Sequence, residues 1–182
     1  MVLNSFAAVG FLLLILADFL WVKGKKAGFL HVAGYVAVGG TLALLIMAPD
    51  RSGHSMEALP SALLVITSIA SASLLFWSVF IEIGAARKKR GMRPSEVYSG
   101  GTYGLCRHPG FWWFSFLVLA IGMLRGVSVY SLTIFLMIVL DLLLIFMQDR
   151  YTFPKVFSGY DEYKKRVPFL FPRWKARETR KG

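Results

Sequence analysis

The chain has 182 residues, 56% of them hydrophobic, with a mean hydropathy of +0.58 and a formal net charge of +11. That composition leaves too little polar surface for a soluble domain of this length. The basic residues sit in short stretches beside long apolar runs, a pattern that fits contact with lipid head groups and argues against nucleic acid.

The apolar runs do not alternate with polar residues, which argues for helices rather than barrel strands. A run of about 20 apolar residues crosses roughly 30 Å of hydrocarbon. The expected fold is therefore all-α and integral to the membrane. It is one domain over 1–182, with five transmembrane helices and a cytoplasmic, partly helical C-terminal tail.

The first predicted helix covers about 2–22, reaches an interfacial Trp21 and is followed by Lys23, Lys25 and Lys26. It lacks a basic segment ahead of its apolar run, so it reads as a retained span and not as a signal peptide. The second covers about 29–48 and ends in a polar turn, Pro49-Asp50-Arg51-Ser52-Gly53. The third covers about 59–84 and carries Ser61, Ser68, Ser71, Ala72 and Ser73, small residues that let helices approach closely. The densest charge follows, Arg87, Lys88, Lys89, Arg90 and Arg93, and then a glycine-rich linker from Ser99 to Gly104. The fourth helix covers about 109–124 and the fifth about 127–147, joined by a tight turn at Arg125-Gly126. The remaining tail is basic and aromatic, suited to lie on the membrane surface. With five spans, the basic first loop, third loop and tail share one side, which the positive-inside rule makes cytoplasmic, with the N-terminus outside.

Spans four and five form an antiparallel hairpin because their turn is so short. Arg107-His108 and Gln148-Asp149 are therefore expected side by side at one membrane depth. Gly100, Gly101 and Gly104 permit close backbone approach. Pro109 suits the first turn of a helix, whose N-terminus adds free N–H groups and a positive dipole end. Such a cluster suits a zwitterionic ligand, its carboxylate near Arg107 and its ammonium or ribose hydroxyls facing Asp149. S-adenosylmethionine has those groups, and an adenine that Tyr103 could stack upon.

Other polar residues are read more plainly. Trp112 and Trp113 form an aromatic belt, and Cys106 is a spectator whose solitude excludes an internal disulfide. His31, His54 and His108 share no ligand spacing, so no metal is expected. Asp141 lies within the fifth span on the same face as Gln148, either lining the pocket or pairing structurally. Asp18 and Glu82 lie near span ends, Glu82 on the side of the cluster.

The stretch Gly101-Thr-Tyr103-Gly104-Leu105-Cys-Arg107-His108-Pro109-Gly-Phe111 resembles the Arg-His-Pro segment of the isoprenylcysteine carboxyl methyltransferase superfamily, which also includes the phospholipid N-methyltransferases. Tyr160, Tyr163, Val167, Pro168 and Pro172 match that superfamily's tail, so the likeness covers about 98–172. Gln148-Asp149 stands where the superfamily has an acidic Glu pair, and Phe157 and Gly159 are offset from its Phe-Gly. The resemblance implies S-adenosylmethionine as methyl donor, held by Gly101, Tyr103, Gly104, Leu105, Arg107, His108, Pro109, Gln148, Asp149, Tyr160 and Tyr163. It also implies a lipophilic acceptor entering from the bilayer, isoprenylcysteine carboxylate-like or phospholipid-like.

The leading expectation is a membrane methyltransferase. His108, Arg107 and Arg166 are its catalytic candidates, with Arg166 or Arg87 placed to hold an anionic group. An NADPH-dependent membrane reductase of similar fold and a non-catalytic membrane partner protein are the alternatives. The sequence is silent on oligomeric state, although Gly39-Gly40 and the serine-rich third span offer helix contacts within or between chains.

Overall fold

The computed structural model describes residues 2–49 and 57–172. The turn at Asp50–Gly53, His54 and the tail beyond Pro172 lie outside the described residues. Helix α1 spans Val2–Val22 and α2 spans Gly28–Met47. Helix α3 runs unbroken over Ala58–Arg90, with one wide π turn at Trp77–Glu82. Helix α4 spans Pro109–Arg125 and α5 spans Val127–Met147. A second π turn, Gln148–Thr152, carries α5 on into Phe153–Val156, and α6 spans Tyr160–Arg166. No strand occurs among the described residues; one isolated parallel bridge joins Glu96 to Ser158.

Among the described residues, four helices are long and apolar enough to cross a membrane. Helix α4, at 17 residues, is the short one. At the helical rise it reaches about 25 Å, the lower end of what spans a bilayer. The third helix outruns its expected end at Gly84. Its basic residues are good helix formers whose stems can lie along apolar surface. It stops where Gly91 takes a left-handed conformation at φ 63°.

The helices pack in a chain of neighbours: α2 on α1, α1 on α5, α5 on α4 and α4 on α3. The core between them includes Phe11, Leu14, Leu45, Val118, Ile134 and Met137. The outer face of α3 exposes Leu59, Leu63, Ile66, Ile69, Phe76 and Phe80, as a helix bordering lipid does. Long-range bonds tie the ends together. At one end Asn4 meets Thr133 (2.6 Å), and the Tyr130 hydroxyl donates to the Pro49 carbonyl (3.2 Å). At the other end Asp18 accepts from Gln148 (2.8 Å) and pairs with His31 (2.9 Å). The basic loop after α1, the basic end of α3 and the start of the tail thus share one end of the bundle.

Helices α1 and α2 touch through glycine. A Cβ on Gly34 would meet Leu14 at 2.7 Å and the Gly10 carbonyl at 3.0 Å, whereas Gly39 and Gly40 face open space. Gly34→Val is expected to lower the unfolding midpoint in detergent, at a cost of roughly 1–3 kcal/mol for overpacking, while Gly39→Ala stays near wild type. Equal behaviour of the two variants would contradict the close crossing.

Candidate functional site

The loop between α3 and α4 is held at Thr102 and at Arg107 by acids that the two π turns present. A π turn widens the helix by one residue per turn and commonly marks a functional position. The turn in α3 ends at Glu82, which is 7% exposed. Its carboxylate accepts from the Thr102 backbone N–H (2.8 Å) and, through the other oxygen, from the Thr102 hydroxyl. Gly101 sits directly beneath, at φ 52°, and a Cβ there would fall 1.8 Å from Glu82 Oε1. Only glycine meets both demands.

The turn in α5 delivers Asp149 to the far end of the same loop. Arg107 grips it with both edges of its fork, Nε to Oδ1 at 2.6 Å and Nη2 to Oδ2 at 3.0 Å. Arg107 Nη1 donates to the carbonyls of Val167 (2.6 Å) and Lys164 (3.2 Å), and its backbone N–H donates to the Pro168 carbonyl (2.9 Å). The Tyr160 hydroxyl donates to Asp149 Oδ1 at 2.8 Å. Lys164 Nζ donates to the Asp149 carbonyl at 3.3 Å and stands 3.9 Å from Oδ2. The side chains of Arg107 and Asp149 are 9% and 3% exposed. Such a bidentate, desolvated pair is stronger than a surface ion pair and more rigid.

The tail closes over this pair. The Tyr163 hydroxyl donates to the Tyr103 carbonyl (2.6 Å), the Tyr103 hydroxyl to the Ser78 carbonyl (3.1 Å), and Trp112 Nε1 to the Leu170 carbonyl (2.9 Å). Tyr160, Tyr163 and Val167 form a small apolar core with Val97, Phe153 and Phe157. Burial raises the phenol pKa values of Tyr103, Tyr160 and Tyr163, with nearby Glu82, Asp149 and Tyr103 respectively adding to it. All three stay neutral hydrogen-bond donors.

His108 stacks on Phe153 and meets Phe169 edge-on. Its Nε2 lies 3.6 Å from Asp149 Oδ1, too far for a hydrogen bond, and is buried without a hydrogen-bond partner among the described residues. Burial lowers the imidazole pKa, against the opposing pull of Asp149.

The structure therefore brings together Arg107, His108, Asp149, Tyr103, Tyr160 and Tyr163, as the hairpin required. It corrects the roles of several. Every nitrogen of the Arg107 guanidinium is occupied within the protein, so Arg107 and Asp149 face each other and not a zwitterion between them. Gln148 turns to Asp18 on α1, because adjacent residues of a helical turn point to different faces. Arg166 is exposed and donates to the Glu162 carbonyl of its own helix (3.4 Å). Asp141 is partly buried in α5, within electrostatic reach of Tyr35 on α2. Trp112 belongs to the tail's docking surface, not to a belt alone. Arg87 donates to the Glu96 carbonyl (3.3 Å). Pro109 opens α4, and Gly104 and Leu105 are exposed. Cys106 is buried, and burial pushes its thiol pKa up.

An open cleft of about 580 Å³ lies between the end of α3 and the loop, with Trp77, Ala85, Ala86 and Leu105 among its apolar walls. Glu82, Lys89, Arg90, Tyr98, Gly101 and Thr102 supply its polar side. Its volume suits a small-molecule site. The Asp18–His31–Gln148 network and the Glu82–Thr102 contact had no sequence signal beyond an acid near a span end. Comparison with known proteins gave no matching family model, no matching curated protein and no matching solved structure.

Two outcomes are expected. Asp149→Ala strands a buried guanidinium, which costs roughly 3–5 kcal/mol. Limited proteolysis should then cut between 153 and 172 much faster than in wild type; an unchanged cleavage rate would remove the clamp. For His108, the folded-state pKa lies below the ordinary 6.5, so the unfolded chain binds the proton more readily. Stability is full above the ordinary value and falls as pH drops below it. Unfolding midpoints between pH 8 and pH 5.5 should therefore fall less in His108→Gln than in wild type. Parallel declines would contradict a neutral, buried imidazole.

Proposed function

We propose that the chain is an S-adenosylmethionine-dependent methyltransferase that modifies a lipophilic acceptor at the membrane boundary. The observation that carries this reading is the docking of the Gly101–His108 loop on two acid-bearing turns, beside a cleft lined by both apolar and charged residues. The loop and the tail that resemble the isoprenylcysteine carboxyl methyltransferase superfamily are the same segments that meet in space.

When bound, S-adenosylmethionine supplies an electrophilic methyl: a nucleophilic atom of the acceptor bonds to the methyl carbon while the carbon–sulfur bond breaks and its electron pair goes to sulfur. Such a displacement requires alignment and exclusion of water more than proton transfer. The chain's residues suit those tasks. The Arg107–Asp149 clamp and the tail tyrosines fix the loop backbone, and Gly101 lets it pass close to Glu82. Trp77, half exposed at the cleft mouth, continues into the exposed apolar face of α3. That face offers an acceptor a route from the bilayer. The basic end of the bundle would face the cytoplasm, with the N-terminus on the opposite side.

The test is thermal unfolding of the detergent-purified protein with S-adenosylhomocysteine or NADPH. Saturating S-adenosylhomocysteine, at about 100 times its Kd, is expected to stabilise the fold by about 2.7 kcal/mol. Stabilisation by NADPH alone, or by neither compound, would overturn the proposal.

A further inference from the structure

Glu82 is electrostatically unfinished. Glu82 is 7% exposed and, among the described residues, its carboxylate accepts hydrogen bonds from neutral donors only, the Thr102 N–H and hydroxyl. Among the described residues no Lys, Arg or His forms an ion pair with it. Asp149, the other acid of the loop, is by contrast fully engaged by Arg107 and Lys164. A buried carboxylate favours a cationic partner, and one that opens onto a cleft can take it from a ligand.

The cleft offers the complement. Lys89 and Arg90 also line it, further along α3 toward its end. Glu82 and Lys89 are seven residues apart and share a helix face, about 10 Å apart along the axis. The Arg90 guanidinium lies 5.9 Å from the Tyr98 ring, and Tyr98 stands edge-on to Tyr103. Ala85 and Ala86 keep the floor low, and Trp77 and Tyr98 present aromatic faces. Negative charge, aromatic surface and positive charge thus line one cavity.

We propose that this cleft holds the methyl donor, with Glu82 facing its cationic sulfonium and ammonium end and Lys89 with Arg90 facing its carboxylate. The proposal rests on the methyl-transfer reading and assigns the ligand's charged groups to residues outside the Arg107–Asp149 pair. The Arg107–Asp149 clamp then holds the wall of the site and touches no ligand charge.

Titration calorimetry in detergent with three probes tests it. S-adenosylhomocysteine carries the amino-acid end; methylthioadenosine lacks it; sinefungin carries an added ammonium where the methyl sulfonium would sit. Wild type is expected to bind S-adenosylhomocysteine more tightly than methylthioadenosine. Replacing both Lys89→Ala and Arg90→Ala is expected to weaken S-adenosylhomocysteine roughly tenfold, the scale of a charge-assisted contact, and to leave methylthioadenosine unchanged. Glu82→Gln keeps an acceptor for the Thr102 N–H, and so the loop, but should abolish any preference for sinefungin over S-adenosylhomocysteine. If wild type binds none of the three probes, the methyl-transfer reading itself fails. If it binds them and the variants leave both preferences unchanged, only this assignment fails.

Discussion

The architecture of the polar end depends on one desolvated guanidinium. Arg107 stands one residue before the first cap of α4, and its fork bonds the acid of α5 on one side and tail carbonyls on the other. A single side chain therefore fixes the α4–α5 hairpin to the loop before it and the tail after it. Lysine would not substitute, since an ammonium has neither the planar fork nor the reach to satisfy carboxylate and carbonyls together. The match between the tail and this clamp is close: the Tyr163 hydroxyl, the Val167 and Pro168 carbonyls and Asp149 all meet Tyr103 or Arg107, and the Tyr160 hydroxyl donates to Asp149.

The π turns explain how a bundle of apolar helices presents polar groups with such precision. An α-helix that continued regularly past Trp77 or Met147 would place the following residues on other faces. Each wide turn rotates the helix after it, so Glu82 and Asp149 both face the same loop from opposite sides. One acid is neutralised within the protein and the other is hydrogen-bonded but uncompensated. That asymmetry separates a structural anchor from a surface fit to receive charge.

Much of this arrangement was legible in the sequence. Long uninterrupted apolar runs placed the first, second and fourth helices to within a residue or so, because the bilayer and the helix rise set one length scale, whereas the third and fifth run on past their apolar stretches. The Arg125-Gly126 turn forced a hairpin, and the hairpin forced Arg107 and Asp149 together. What the sequence concealed follows from the same physics. Hydropathy treats burial in lipid and burial in protein alike, so the neighbour order of the helices stayed hidden. The Gln148–Asp18 bond joins residues 130 positions apart, which no local pattern encodes. A π turn has no composition of its own, so the step that turns Gln148 away and Asp149 inward could not be read. Nor could the occupancy of Arg107: a basic residue beside an acid reads equally as a ligand site or as a finished ion pair until the tail carbonyls are placed.

The central claim is that Arg107 and Asp149 act as one unit that holds loop, hairpin and tail together. A double-mutant cycle on Arg107→Met and Asp149→Leu, followed by reversible unfolding in detergent, measures it directly. Strong non-additivity is expected: each single change leaves a buried charge without its bidentate partner, and the double change restores much of the lost stability, with a coupling energy of roughly 2 kcal/mol or more. Effects that add to within about 0.5 kcal/mol would show the two residues to be independent and would contradict the account.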